Sequence, residues 1–228
     1  MGAYYNENNP TAAAWLRELI KEGLIADGEV DERSITDVQP DEVRGFDQCH
    51  FFAGIGGWSY ALRLANWPDK RSVWTFSCPC QRLSNAARGR KVAKDMWPEQ
   101  RRLIIASLPR VFFGEQVASS RYWFDGLCDD VEAVDYEVGA AVLPAVAVGA
   151  NHARQRIYFV GDTYRYGESV SSVDAKAPGV PRNSGDSYGV GRKNGISTRM
   201  AALSGFGNAI VPQVAAEVII AYLASNRY

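Results

Sequence analysis

Residues 49–57 read Cys49-His50-Phe51-Phe52-Ala53-Gly54-Ile55-Gly56-Gly57, and a helical pattern follows at once through Trp58, Ala61, Leu62 and Ala65. An apolar run that ends in glycines and gives way to a 3.6-residue period predicts a strand, a tight turn and a helix. Glycines allow close backbone approach there, and the helix start offers free N–H groups to a nucleotide or a carboxylate. A plain structural turn explains this stretch alone about as well.

Outward from the turn, Ser72–Phe76 and Arg110–Phe113 read as further strands, with a helix over Trp97–Leu108 between them. Val138–Val148 and Ile157–Val160 continue the apolar runs. Before the turn, Ala3-Tyr4-Tyr5 is a short strand. Asn9 caps a helix that opens at Pro10, carries Ala12, Trp15, Leu16, Leu19 and Ile20 on one stripe, and stops at Gly23. Leu24–Val30 holds another strand. Strands alternating with helices predict an α/β fold with a parallel sheet covered on both faces. Residues 161–200 lose all periodicity and contain seven Gly, six Ser and two Pro, so they form a loop or a minimal subdomain. A terminal helix begins near Pro212, with Val214, Ala215, Val218, Ile219, Tyr222 and Leu223 on one face. One catalytic domain is therefore expected over 1–160 and 201–228.

The 228 residues, 46% hydrophobic and 22% charged, exclude a disordered or collagenous chain. Four irregularly spaced cysteines exclude a disulfide scaffold, and no second Cys-x-x-Cys supports zinc. No metal is expected. Met1–Ala14 lacks a basic region followed by an apolar stretch, and no apolar run approaches the ~18 residues of a membrane span, so the expected location is cytoplasmic, without a membrane partner. Net charge is −1, yet residues 1–50 carry 4 basic against 11 acidic side chains and the remainder 21 against 15. Arg82, Arg88, Arg90, Lys91, Lys94, Arg101 and Arg102 cluster in a short span that suits a phosphate backbone, or else forms a solvated face.

Three strand ends carry candidate chemistry. Pro79-Cys80-Gln81 sets Cys80 at the sheet's carboxyl edge, where a thiolate acts as a nucleophile. Gly114-Glu115-Gln116-Val117 puts Glu115 at the end of the next strand, able to donate to a ring nitrogen if a dry pocket raises its pKa. Arg154-Gln155-Arg156 offers two guanidinium forks to a base carbonyl or a phosphate.

Taken in order, Phe52–Gly57, Pro79-Cys80-Gln81, Gly114–Val117, Arg154–Arg156 and Gly207-Asn208-Ala209-Ile210 resemble the motifs of the DNA (cytosine-5) methyltransferases. The resemblance covers most of Cys49–Tyr228 and is strongest to short phage and prophage forms, some of which accompany restriction enzymes. It implies a Rossmann-like methyltransferase sheet that uses S-adenosyl-L-methionine, releases S-adenosyl-L-homocysteine, and acts on double-stranded DNA. By the same resemblance Cys80 is the nucleophile, Glu115 holds the cytosine at N3 and its amino edge, and Arg156, with Arg154 beside it, contacts the base carbonyl. Phe52, Gly54, Ile55, Gly56, Gly57, Pro79, Asn208 and Ala209 would line the methyl donor's site, and Gln81, Arg82, Ser84, Arg88, Arg90 and Lys91 would meet DNA.

Only Trp58–Cys78 separates the glycine turn from Pro79, too little for the two further strands that the family places there. The opening 45 residues supply them. Tyr4-Tyr5-Asn6-Glu7 resembles the second family motif, a strand ending in a carboxylate for the donor's ribose, with Asn6 beside it. Asp31–Val38 resembles the third, in which Asp31 or Ser34, next to Ile35, meets the adenine amino group. This predicts a circularly permuted sheet with its second and third strands moved to the front, a rearrangement that surface termini permit. Gln116 stands where the family has Asn, and Arg82-Leu83 replaces a commoner pair. Gly161–Met200 is much shorter than the family's recognition domain, so the target recognition segment is reduced and a second protein subunit is a possible partner. The alternative functions are a catalytically weak nucleic-acid-binding homologue that needs such a subunit, or an RNA cytosine methyltransferase.

Overall fold

The computed structural model describes residues 1–79, 94–150, 154–163 and 209–225. Seven strands form one sheet: β1 (Ala3–Asn6), β2 (Gly28–Asp31), β3 (Gln48–Phe51), β4 (Val73–Phe76), β5 (Val111–Val117), β6 (Glu137–Pro144) and β7 (Gln155–Asp162). Their spatial order is β2-β1-β3-β4-β5-β7-β6. The strands from β2 to β5 pair in parallel, and β7 runs antiparallel to both neighbours. The sheet is thus mixed rather than wholly parallel. The physical reason is the short link after β6, a 3-10 turn at Ala145–Val148 followed by Gly149, which sends the chain back alongside the strand it has just left.

Six α-helices are described: α1 (Pro10–Lys21), α2 (Pro40–Val43), α3 (Gly57–Leu64), α4 (Trp97–Ser107), α5 (Arg121–Glu132) and α6 (Pro212–Ser225). Asn9 caps α1 by accepting from the N–H groups of Thr11 and Ala12 at 3.0 and 3.2 Å. The sequence reading had no helix at α2 or α5. Strand β5 reaches Val117 rather than Phe113, so Glu115 sits within it, and β7 starts at Gln155, so Arg156 belongs to the strand itself.

One face of the sheet buries Tyr4, Phe51, Trp74, Phe76, Phe112 and Phe159 beneath α4 and α5. On the other, Trp58, Leu62, Phe113, Tyr158, Val214 and Ile219 pack α3 and α6 together, while Tyr5, Leu16 and Ile25 seat α1. Two glycines match rings across strands. A Cβ on Gly114 would lie 2.2 Å from the Phe159 ring, and one on Gly161 2.2 Å from the Phe112 ring, so each aromatic occupies the space its glycine partner leaves empty. Among the described residues, no helix is long and apolar enough to cross a membrane.

Candidate active site

The carboxyl ends of β1, β2, β3, β4 and β5 share one edge of the sheet, and antiparallel β7 brings its amino end to the same edge. The register sets Val117 opposite Arg156 and Glu115 opposite Tyr158. Alternation along the strands then puts Glu115, Arg156 and Arg154 on one face. Arg156 Nε lies 2.7 Å from Glu115 Oε1. Glu115 is only 5% exposed, and burial pushes its carboxyl up to about 7, with Arg156 and then Arg154 pulling the other way. Burial lowers the pKa of Arg154, whose Nε has no hydrogen-bond partner among the described residues. A buried acid near neutrality between two guanidinium groups is equipped to donate or accept a proton and to bind a planar polar ring edge.

The neighbouring strand is tied to this cluster. Gln116 Nε2 donates to the Cys78 carbonyl at 3.3 Å, and Trp58 Nε1 donates to Ser77 Oγ at 3.0 Å. These bonds hold the segment that leads to exposed Pro79 against β5 and α3. Sequence reading missed both tethers, although Gln116, a long amide beside Glu115, was visible as a departure from the family pattern. Cys80 lies outside the described residues, as do Gln81, Arg82, Ser84, Arg88, Arg90, Lys91 and Asn208.

A second group of residues gathers at the glycine turn. Phe52, Gly54 and Gly56 all have positive φ, at 52°, 55° and 80°, which coils the chain sharply between β3 and α3. Among the described residues, a Cβ on Gly54 would meet only the Phe52 carbonyl, at 3.9 Å, so none of them crowds the backbone there. Gly57 is closed instead: its Cβ would sit 2.8 Å from Ile210 Cγ1, which places Ala209-Ile210 against the turn. Ile55 is half-buried within it. Glu7, one residue past β1, accepts from the Gly54 N–H at 2.7 Å and from the Asn9 N–H at 2.9 Å. Each carboxylate oxygen keeps a further lone pair. Buried Asn6 donates through Nδ2 to the Arg33 carbonyl at 2.9 Å, which draws the loop after β2 toward Glu7. In that loop Ile35 is buried in the core, Ser34 Oγ accepts from the Thr36 hydroxyl at 2.8 Å, and Asp31 binds Arg33 and Tyr4.

An α/β sheet with a glycine turn and a buried acid at one carboxyl edge has the layout of an enzyme that binds its ligand at the carboxyl ends of the strands. The profile of the C-5 cytosine-specific DNA methylases matches residues 66–185, more than half of the sequence, and the chain belongs to that family. Similar solved structures include a DNMT2 variant from Spodoptera frugiperda, 13% identical, with a TM-score of 0.48 over 75% of this chain and 45% of that one. EhMeth of Entamoeba histolytica is 12% identical, covering 74% and 47% at a TM-score of 0.44. A DNA modification methyltransferase encoded within an E. coli prophage is 14% identical, covering 71% and 47% at 0.42. The chain spans about half the length of these proteins. No curated protein sequence matches it.

Proposed function

We propose that the chain transfers a methyl group from S-adenosyl-L-methionine to carbon 5 of a cytosine in double-stranded DNA. The observation that carries this reading is Glu115, a buried acid pushed up to about 7, paired with Arg156 at the sheet edge to which the segment ending at Pro79 leads.

The methyl donor fits the glycine turn. Gly54 leaves bare backbone there, and Glu7 retains one acceptor site on each oxygen for two neighbouring ribose hydroxyls. Phe52, Ile55, Gly56, Gly57, Pro79, Asn208 and Ala209 would complete the walls. Bound there, S-adenosyl-L-methionine would supply an electrophilic sulfonium methyl for carbon 5, with S-adenosyl-L-homocysteine as the product.

The chain's own residues act on the base. Stacking hides the ring in a duplex, so the nucleotide is extruded at a cost of about a few kcal/mol, offset by phosphate contacts from Arg82, Arg88, Arg90 and Lys91. Gln81 and Ser84 would meet the same DNA. Neutral Glu115 gives its proton to N3 while the Cys80 thiolate forms a bond to carbon 6, which moves the electron pair of the 5,6 double bond onto carbon 5. Arg156 and Arg154 bind the ring carbonyl, whose oxygen gains negative charge. Once carbon 5 is methylated and has lost its proton to a base, the pair returns to the ring, expels Cys80, and N3 gives its proton back to Glu115.

The spatial order supports a circular permutation. The first two strands in the chain lie beyond β3, where the family's second and third strands are expected, and β1 carries Glu7 to the turn. The short segment after β7 leaves sequence preference loose or dependent on a second subunit. The test is incubation with S-adenosyl-L-methionine and duplex DNA containing 5-fluorocytosine, which cannot release its substituent. A covalent protein–DNA adduct that vanishes in Cys80→Ser is expected. No adduct with DNA, or one formed only with fluorocytosine RNA, overturns the reading.

A further inference from the structure

Asp31 ends β2 at the edge where the methyl donor would bind, but its carboxylate is already occupied. The Tyr4 hydroxyl donates to Oδ2 at 2.6 Å, the Arg33 backbone N–H donates to Oδ1 at 2.9 Å, Arg33 Nη2 donates to Oδ2 at 2.7 Å, and Arg33 Nε reaches both oxygens at 3.0 and 3.1 Å. An ionised carboxylate has about four lone-pair sites, and four N–H or O–H donors fill them. The Asp31 side chain is 14% exposed. Burial alone would raise its pKa, yet the Arg33 and Tyr4 donors hold it below the usual carboxylate range. Arg33 is fixed in turn: its Nη1 lies 3.1 Å from Glu42 Oε1, and Glu42 Oε2 accepts from the Gln39 N–H at 2.7 Å.

We propose that Arg33 is a positioning residue that withdraws Asp31 from donor recognition, so that Glu7 alone of the two strand-end carboxylates touches the bound methyl donor. The assignment rests on the donor site described above. Its physical basis is an unfavourable exchange. For an adenine amino group to reach Asp31 it must displace the guanidinium fork or the Tyr4 hydroxyl, and charge-assisted hydrogen bonds to Arg are roughly twice as strong as neutral ones. The same fork keeps the loop after β2 in place, because the Arg33 carbonyl accepts from Asn6, the residue before Glu7. Ser34 is left as the next polar side chain of that loop. Its oxygen already accepts from Thr36, and its own proton suits a ring nitrogen rather than an amino group.

Calorimetric titration of the full chain with S-adenosyl-L-homocysteine and with its 6-desamino purine analogue tests the assignment. Wild type should bind the analogue within about threefold of the parent, and Asp31→Asn should leave that ratio unchanged. Glu7→Gln should weaken both ligands about tenfold or more. Arg33→Lys, which keeps the charge and loses the fork, should raise the donor's KM several-fold with kcat within twofold. A tenfold preference for the amino compound that disappears in Asp31→Asn overturns the assignment while leaving the donor site standing. Absence of any S-adenosyl-L-homocysteine binding by wild type removes the donor site and the assignment with it. Should Asp31→Asn fail to fold, nitrogen-15 NMR of wild type decides: the Arg33 Nε–H signal should persist on adding S-adenosyl-L-homocysteine, and its loss would show that the fork is displaced.

Discussion

Replacing Arg156 by Met keeps most of the aliphatic stem and deletes the guanidinium 2.7 Å from Glu115 Oε1. Burial already pushes the Glu115 carboxyl from an ordinary value of 4.5 up to about 7. Loss of an adjacent cation raises a carboxyl pKa by about 1–3 pH units, so in the variant Glu115 should titrate near ~9. A carboxyl raised on folding contributes stability that is complete below its unfolded pKa and is lost as pH rises through its folded pKa. Wild type finishes that loss near pH 7, whereas Arg156→Met goes on losing stability to about pH 9. With one proton at stake, the gap between the two proteins should widen by about 1.4 kcal/mol from pH 6 to pH 8, tenfold in the unfolding equilibrium, on top of a pH-independent packing loss. Urea unfolding of both proteins at pH 6, 7 and 8 measures this directly. A gap that is flat or narrows with rising pH would refute the picture of Glu115 as a buried acid held against Arg156.

Two further perturbations probe the frame around the site. His50 is fully buried between Thr75 and Gln48, and burial lowers its pKa to about 3, so its contribution is present above the ordinary 6.5 and disappears as pH falls. Relative to His50→Gln, wild type should lose about 1.4 kcal/mol per pH unit between pH 6 and 4, and parallel acid-unfolding curves would contradict that. Gly57→Ala drives a Cβ to 2.8 Å from Ile210 Cγ1 and should cost about 1–3 kcal/mol by thermal unfolding. The penalty should shrink in an Ile210→Ala background, and strict additivity of the two substitutions would show that they do not touch.

Much of the sheet was legible because its central strands are short apolar runs that stop at turn residues, with Asn9-Pro10 and Gly54–Gly57 as local punctuation. Helix α5 was not read, since Arg121–Glu132 mixes exposed Tyr122 and half-buried Trp123 and Phe124 with acids, and only Leu127 and Val131 are buried on it. The direction of β7 was equally hidden. Ile157–Phe159 would look the same in a parallel or an antiparallel strand, and only the pairing partner distinguishes them. At the site, Glu115 was visible as an acid at the end of an apolar run, Arg156 as a cation at the mouth of one, and Glu7 as a carboxylate just past a strand. What Asp31 does could not be read, because its partners Tyr4 and Arg33 come from different elements and the saturation of its oxygens is a property of three-dimensional packing.

The strand order has a consequence for assembly on the ribosome. β1, α1 and β2 form a local unit complete by residue 31, whose inner edge stays unpaired until β3 emerges some twenty residues later. From Gly54 onward Glu7 has its partner, so the half of the cleft built around the glycine turn can take shape early in synthesis. Glu115 must wait for Arg156 at the far end of a long excursion through β6, and the same strand that brings this counter-charge, β7, also covers the acid.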